Sequence, residues 1–185
     1  MAATVTVRRH TGTAGSQTKT DITSATTRAS ASDAPAPGTA DPIPIPGAGT
    51  NYSYWVSTRL SADTTPAGTI NNLKWYSDGS NNYGTGVTCV AADASTGGND
   101  GYIQATGTQG TTGTELTQGN HGGLDQAPFD AFSKTSGSPQ ALGGSIDNPS
   151  TGDFGDFVVL QIEVASTAGP GTLSAETFTY QMDET

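Results

Sequence analysis

"FVVLQIEVASTAGPGTLSAETFTYQMDE", residues 157–184, carries the clearest structural signal in the chain. In FVVLQIEVA (157–165), Val158, Leu160, Ile162 and Val164 fall on one face, the period of two that a strand requires. Phe157 and Val159 make the opposite face partly apolar too. AGPGT (168–172) reads as a turn. LSAETFTYQMDE (173–184) alternates again and brings Phe178, Tyr180 and Met182 together. Two alternating runs joined by Ala-Gly-Pro-Gly predict an antiparallel hairpin.

The same pattern extends toward the N-terminus. YSYWVSTRL (52–60) places Tyr52, Tyr54, Val56, Thr58 and Leu60 on one face, and Ser53, Trp55, Ser57 and Arg59 on the other. INNLKWY (70–76) and VTCVAA (87–92) are further strands, separated by ADTTPAGT and by SDGSNNYGTG. STGGNDG then turns the chain into YIQAT (102–106). These runs predict an all-β body, an antiparallel β-sandwich or jelly roll, over residues 51–185. Within it, 107–156 is expected to be a long Gly-rich loop region. Leu124, Phe129, Phe132, Leu142, Ile146 and Phe154 are its anchors, and DQAPFDAF its single helical turn. Such a loop is unusual in a compact domain unless it is functional or packed on something.

Residues 1–50 read differently. TVTVRR (4–9) alternates as a short strand, but residues 10–40 contain one large apolar residue, Ile22. That stretch cannot bury enough area to fold by itself. It predicts an extended Thr/Pro-rich N-terminal arm, either a flexible tail or a segment that orders on a partner. At its junction, DPIPIP (41–46) is a stiff rod. Each proline fixes its own φ and biases the residue before it to extended geometry. Ile43 and Ile45 project from that rod, to dock on the body or on a neighbour. Deleting residues 1–46 is expected to leave a folded body.

Composition narrows the function. Only 32% of residues are hydrophobic and 13% charged, while the net charge is −10. The charge is uneven: residues 1–28 sum to +3 and residues 29–185 to −13. An acidic body repels phosphate backbones, which argues against nucleic-acid partners. Cys89 is the only cysteine, so neither an intrachain disulfide nor a Cys-based zinc site is available. No apolar stretch reaches membrane-spanning length, and MAATVTVRRHTGT lacks the order of a signal peptide. Synthesis in a cytoplasm is expected.

Catalytic signals are weak. His10 lies in the predicted arm, and His121 lies in QGNHGGLDQ, four residues before Asp125. No Gly-x-Ser-x-Gly elbow supports a hydrolytic triad. Asp153 and Asp156 in GDFGDF, and Asp183 with Glu184, are paired carboxylates that turn chemistry also explains. TGGNDGY (96–102) and SDGSNN (77–82) offer oxygen ligands for calcium without EF-hand spacing. GTQGTTG (107–113) lacks the Gly-Lys-Ser/Thr ending of a phosphate loop. Tyr52, Tyr54, Trp55, Trp75 and Tyr76 form either a sugar-stacking platform or packing surface, and packing is the expectation. Asn51-Tyr-Ser matches a glycosylation acceptor that matters only on a secretory route. No catalytic, cofactor-binding or metal-binding residue is expected.

The order "PIPIPGAGTNYSYW", "INNLKWYSDG", "GDFGDFVVLQIEV", "ETFTYQMDE" after a Thr-rich start resembles small virion structural proteins of tailed bacteriophages. The resemblance covers most of the chain and is weakest over 107–150. It implies a β-sandwich accessory that decorates or cements a capsid, with a tail or neck accessory as the alternative. It implies no catalytic residues. The implied partners are the major capsid protein or other virion proteins, together with further copies of this chain, a trimer being one arrangement. The implied location is the virion. On this reading Arg8, Arg9, Arg28, Ile43, Ile45, Tyr52, Tyr54 and Trp55 are interface candidates. A carbohydrate- or receptor-binding module on the same sandwich is the alternative of another kind.

Overall fold

The computed structural model describes residues 2–185. Thirteen strands follow in chain order: β1 (Val5–Thr11), β2 (Thr18–Asp21), β3 (Thr50–Tyr52), β4 (Val56–Ala62), β5 (Thr69–Ser77), β6 (Val87–Ala94), β7 (Gly107–Thr108), β8 (Thr112–Gly113), β9 (Phe129–Asp130), β10 (Gln140–Ala141), β11 (Ile146–Asp147), β12 (Gly152–Ala165) and β13 (Phe178–Glu184). The larger sheet runs β2-β1-β4-β12-β6-β9, with β3 also on β12. The smaller sheet has β5 at its centre, paired with β13, β10 and β11. All of these pairings are antiparallel. The chain is an all-β, sandwich-like body.

The core explains the layering. Val158, Ile162 and Val164 of β12, Leu60 of β4 and Cys89 of β6 pack with Ile70, Leu73 and Trp75 of β5 between the two sheets. Phe157 and Val159 point to the other face of the large sheet, where they meet Tyr54, Trp55, Tyr102, Leu116 and Leu124. The central strand is therefore covered on both faces, which is why both of its faces are apolar. The second cover is made of loop. Residues 95–125 carry only the β7–β8 ribbon and a left-handed turn at Asn99–Gly101. Gln161, fully buried on that face, holds the cover down. It accepts from the Leu116 N–H at 2.6 Å and donates to the carbonyls of Ser53 and Thr114 at 2.7 and 2.9 Å.

Two expectations are corrected. The 157–165 and 173–184 runs are both strands, but they do not form a hairpin. Both edges of β12 are occupied, by β4 and by β6. The intervening loop, with Gly169, Pro170 and Gly171, carries the chain across to β5, where Tyr180 lies opposite Trp75.

Residues 2–50 are also not a detached arm. β1 pairs with β4 from Val5↔Ala62 to His10↔Ser57 and is itself flanked by β2. Residues 22–49 form a strap over the body. They bury little apolar area and are held by polar contacts instead. The Ala31 N–H donates to the Asp41 carbonyl, the Gly110 N–H to the Ala31 carbonyl and the Tyr54 N–H to the Ser30 carbonyl, each at 2.8 Å. Deleting residues 1–46 would strip β4 of its neighbour, so a folded remainder is not expected. The first and last described strands are tied together as well. Ala3 N–H and Ala67 N–H both donate to the Glu184 carboxylate.

Candidate functional site

Two clefts on the described surface gather acidic side chains. The first, of about 500 Å³, is lined by Arg59, Asp100, Asp147, Asp153 and Asp156 among others. A bulge in β12 creates it. Between Phe154↔Leu60 and Val158↔Thr58, three residues of β12 face Arg59 alone. Gly155 makes the bend at φ +73, and a Cβ there would lie 2.4 Å from Leu73 Cδ1. Successive strand positions alternate faces, so Asp153 and Asp156 would normally point apart. The bulge turns both into one cleft. Arg59 fills the bend: its Nε donates to the Gly155 carbonyl at 2.6 Å and its Nη1 meets Asp100 at 2.9 Å.

The two carboxyls live in different fields. Burial works to raise Asp153, but the Lys19 hydrogen bond and the His10, Lys19 and Arg59 charges outweigh it and hold the group low. Lys19 Nζ lies 2.6 Å from its Oδ2. Asp156 is pushed up by burial and by Asp125 and Asp93, against a Gly143 N–H that favours the ionised form. Carboxylate oxygens of Asp93, Asp125 and Asp156 lie within 4.8 Å of one another. Each of the three accepts from a protein donor: Gln126 and Gln140 on Asp93, Thr96 on Asp125, Gly143 on Asp156. The calcium loops considered from sequence do different work. Asp78 caps its own turn at Ser80, and Asp100 pairs with Arg59.

The second cleft, of about 400 Å³, lies between the strap and residues 104–109. Asp33 and Asp41 of the strap face Gln104 and Gln109, with Tyr54 in the wall. Gln104 Nε2 donates to Asp33 Oδ2 and Gln109 Nε2 to Asp41 Oδ2, both at 3.1 Å. The Gly12 N–H also donates to Asp33 Oδ2, at 2.9 Å, while Asp33 Oδ1 is buried without a partner. Tyr54 titrates high because of burial and the nearby Asp33 and Asp41 charges.

The histidines are buried. His10 is 3% exposed, with Phe157 edge-on at 4.9 Å and Asp153 at 3.7 Å. Burial lowers it to about 4, with Asp153 opposing and Lys19, Arg59 and Arg8 assisting. His121 is fully buried against Trp55 at 4.8 Å, and burial lowers it to about 4. Neither ring nitrogen of either residue has a hydrogen-bond partner.

The residues expected at an interface are dispersed. Arg8 pairs with Asp63. Arg9 is fully buried, donates to Thr27 and to the Arg28 carbonyl, and is lowered to about 10 by burial, against the Asp33 charge. Tyr54 and Trp55 are buried in the second core and Tyr52 is half-buried. Arg28 is exposed, with no ion pair among the described residues. The two isoleucines of the proline rod split: Ile43 packs on the core, and Ile45 faces outward, 37% exposed. Among the described residues no helix is long and apolar enough to cross a membrane. No family model, curated protein or solved structure matches this chain.

Proposed function

We propose that this chain is a structural protein of a tailed-phage virion, a capsid decoration or cement protein that docks on the capsid lattice. The observation that carries this reading is the proline rod. Ile45 is the exposed large hydrophobic residue of the described chain, and it sits on a segment whose backbone is already fixed. A pre-stiffened apolar rib loses little entropy when it docks. Its partners on this reading are the major capsid protein or other virion proteins, and further copies of itself.

Charge supports the reading in a revised form. The basic start does not reach toward an acidic lattice, because Arg8, Arg9 and Lys19 are used internally. The outer surface is left acidic, which suits a protein partner and not nucleic acid. The reading includes no catalysis, in keeping with two histidines sealed from solvent.

The test is incorporation. Ile45→Asp changes an exposed side chain, so the free protein should keep its stability within about 0.5 kcal/mol. Particles assembled with the variant should lose the chain, as read by mass spectrometry of gradient-purified virions. Wild-type incorporation of the variant, or absence of the unmodified chain from purified particles, would overturn the proposal.

A further inference from the structure

The geometry points to the cleft between the strap and residues 104–109 as a binding site for a neutral, polyhydroxylated ligand of pyranose size. This goes beyond an assembly role and stands without it. The cleft holds about 400 Å³, within the roughly 300–1,000 Å³ of small-ligand sites.

Its lining selects the chemistry. No lysine, arginine or histidine lines the cleft, so an anion finds no counter-charge. Apart from the Tyr54 ring the apolar lining is two alanines, Ala34 and Ala105, too little for a lipid or a large apolar ligand. What the walls offer is paired acceptors and donors. Each aspartate carboxylate accepts from one glutamine amide. Each carboxylate has acceptor sites to spare, and each glutamine keeps a carbonyl and a second N–H. Two such carboxylate–carboxamide pairs in one cleft match vicinal hydroxyls, each of which donates once and accepts twice. Asp33 Oδ1 is sealed from solvent, so Oδ2 is the Asp33 oxygen at this site, already holding Gln104 and the Gly12 N–H.

The backbone is set for this arrangement. Asp41 sits at φ +49, a conformation unusual outside glycine, and its carbonyl is fixed by the Ala31 N–H. That pose turns its side chain toward Gln109.

Saturation-transfer NMR on the purified chain tests the site. The probes are methyl glycosides of the common neutral hexoses, 6-deoxyhexoses and N-acetylhexosamines, with spermidine as a cationic control. Transfer to at least one neutral glycoside is expected. Asp41→Asn keeps a residue type that tolerates positive φ, and Gln109→Ala truncates an exposed side chain, so both should fold. Each should weaken the glycoside about tenfold: the asparagine removes the charge that strengthens the hydroxyl hydrogen bond, and the alanine removes the carboxamide. Asp147→Asn, in the other cleft, should leave binding unchanged. No transfer to any glycoside, transfer that survives both cleft variants, or transfer to spermidine alone would overturn the inference.

Discussion

Acid should unfold this protein through its two histidines. His10 and His121 are held near 4 in the folded chain against an ordinary value of 6.5. A depressed histidine binds fewer protons folded than unfolded. Its neutral form stabilises the fold above pH 6.5, and that contribution is lost as pH falls from 6.5 toward 4. A shift of this size corresponds to about 3 kcal/mol per residue, a large share of the roughly 5–15 kcal/mol that stabilises a typical domain. Midway through the window each histidine accounts for nearly one proton taken up on unfolding, so stability should fall by about 2 kcal/mol per pH unit. The low Asp21 and Asp153 carboxyls act in the same direction and the high Asp156 acts against it, but these groups titrate mainly at the acid end. Urea unfolding at pH 7.5, 6 and 5 measures the slope. His121→Leu removes two unpartnered ring nitrogens from beside Trp55 at similar volume. It should halve the proton uptake between pH 5 and 6.5 and cost less than about 1.5 kcal/mol at pH 7.5. A slope near zero in the wild type, or an unchanged slope in the variant, would refute the reasoning.

Other outcomes follow from the same geometry. Gln161→Leu removes three hydrogen bonds and leaves the Leu116 N–H and the Ser53 and Thr114 carbonyls without that partner, so chemical denaturation should show a loss of about 2–4 kcal/mol. Asp156→Asn relieves a carboxylate crowded by Asp125 and Asp93. Its melting temperature should exceed that of the wild type at pH 7, and the gain should shrink toward acid, where Asp156 is already protonated; a variant that melts lower at pH 7 would contradict the repulsion.

How much of this was legible follows from what each residue contributes. Strands β5, β6 and β12 announced themselves because their buried residues are bulky and apolar: Ile70, Leu73, Trp75, and Val158, Ile162, Val164. The partner of β13 did not, because local turn chemistry says nothing about whether an edge of β12 is free. The N-terminal segment was misread because it is buried by small hydroxyl residues. Thr6, Thr11, Ser30 and Ser32 are buried, yet they contribute little to an apolar count. Their neighbourhood is held by backbone pairing and by Arg9, a residue rarely expected to be fully buried. Asp153 and Asp156 were visible as a pair, but the bulge that aims both into one cleft was not. The strap cleft was the least legible. Asp33, Asp41, Gln104 and Gln109 are each ordinary loop residues, and only the folded strap brings them together.

The meeting of Ala3 with Glu184 has a practical consequence. A few flexible residues would suffice to link Ala3 to Glu184 and close the described chain into a circle, since these two residues already touch. New ends could then be cut at an exposed loop such as 80–82, away from both clefts. The same proximity means that cargo attached next to Ala3 or next to Glu184 would emerge at one pole of the molecule. Two different cargoes, one per end, would stand side by side.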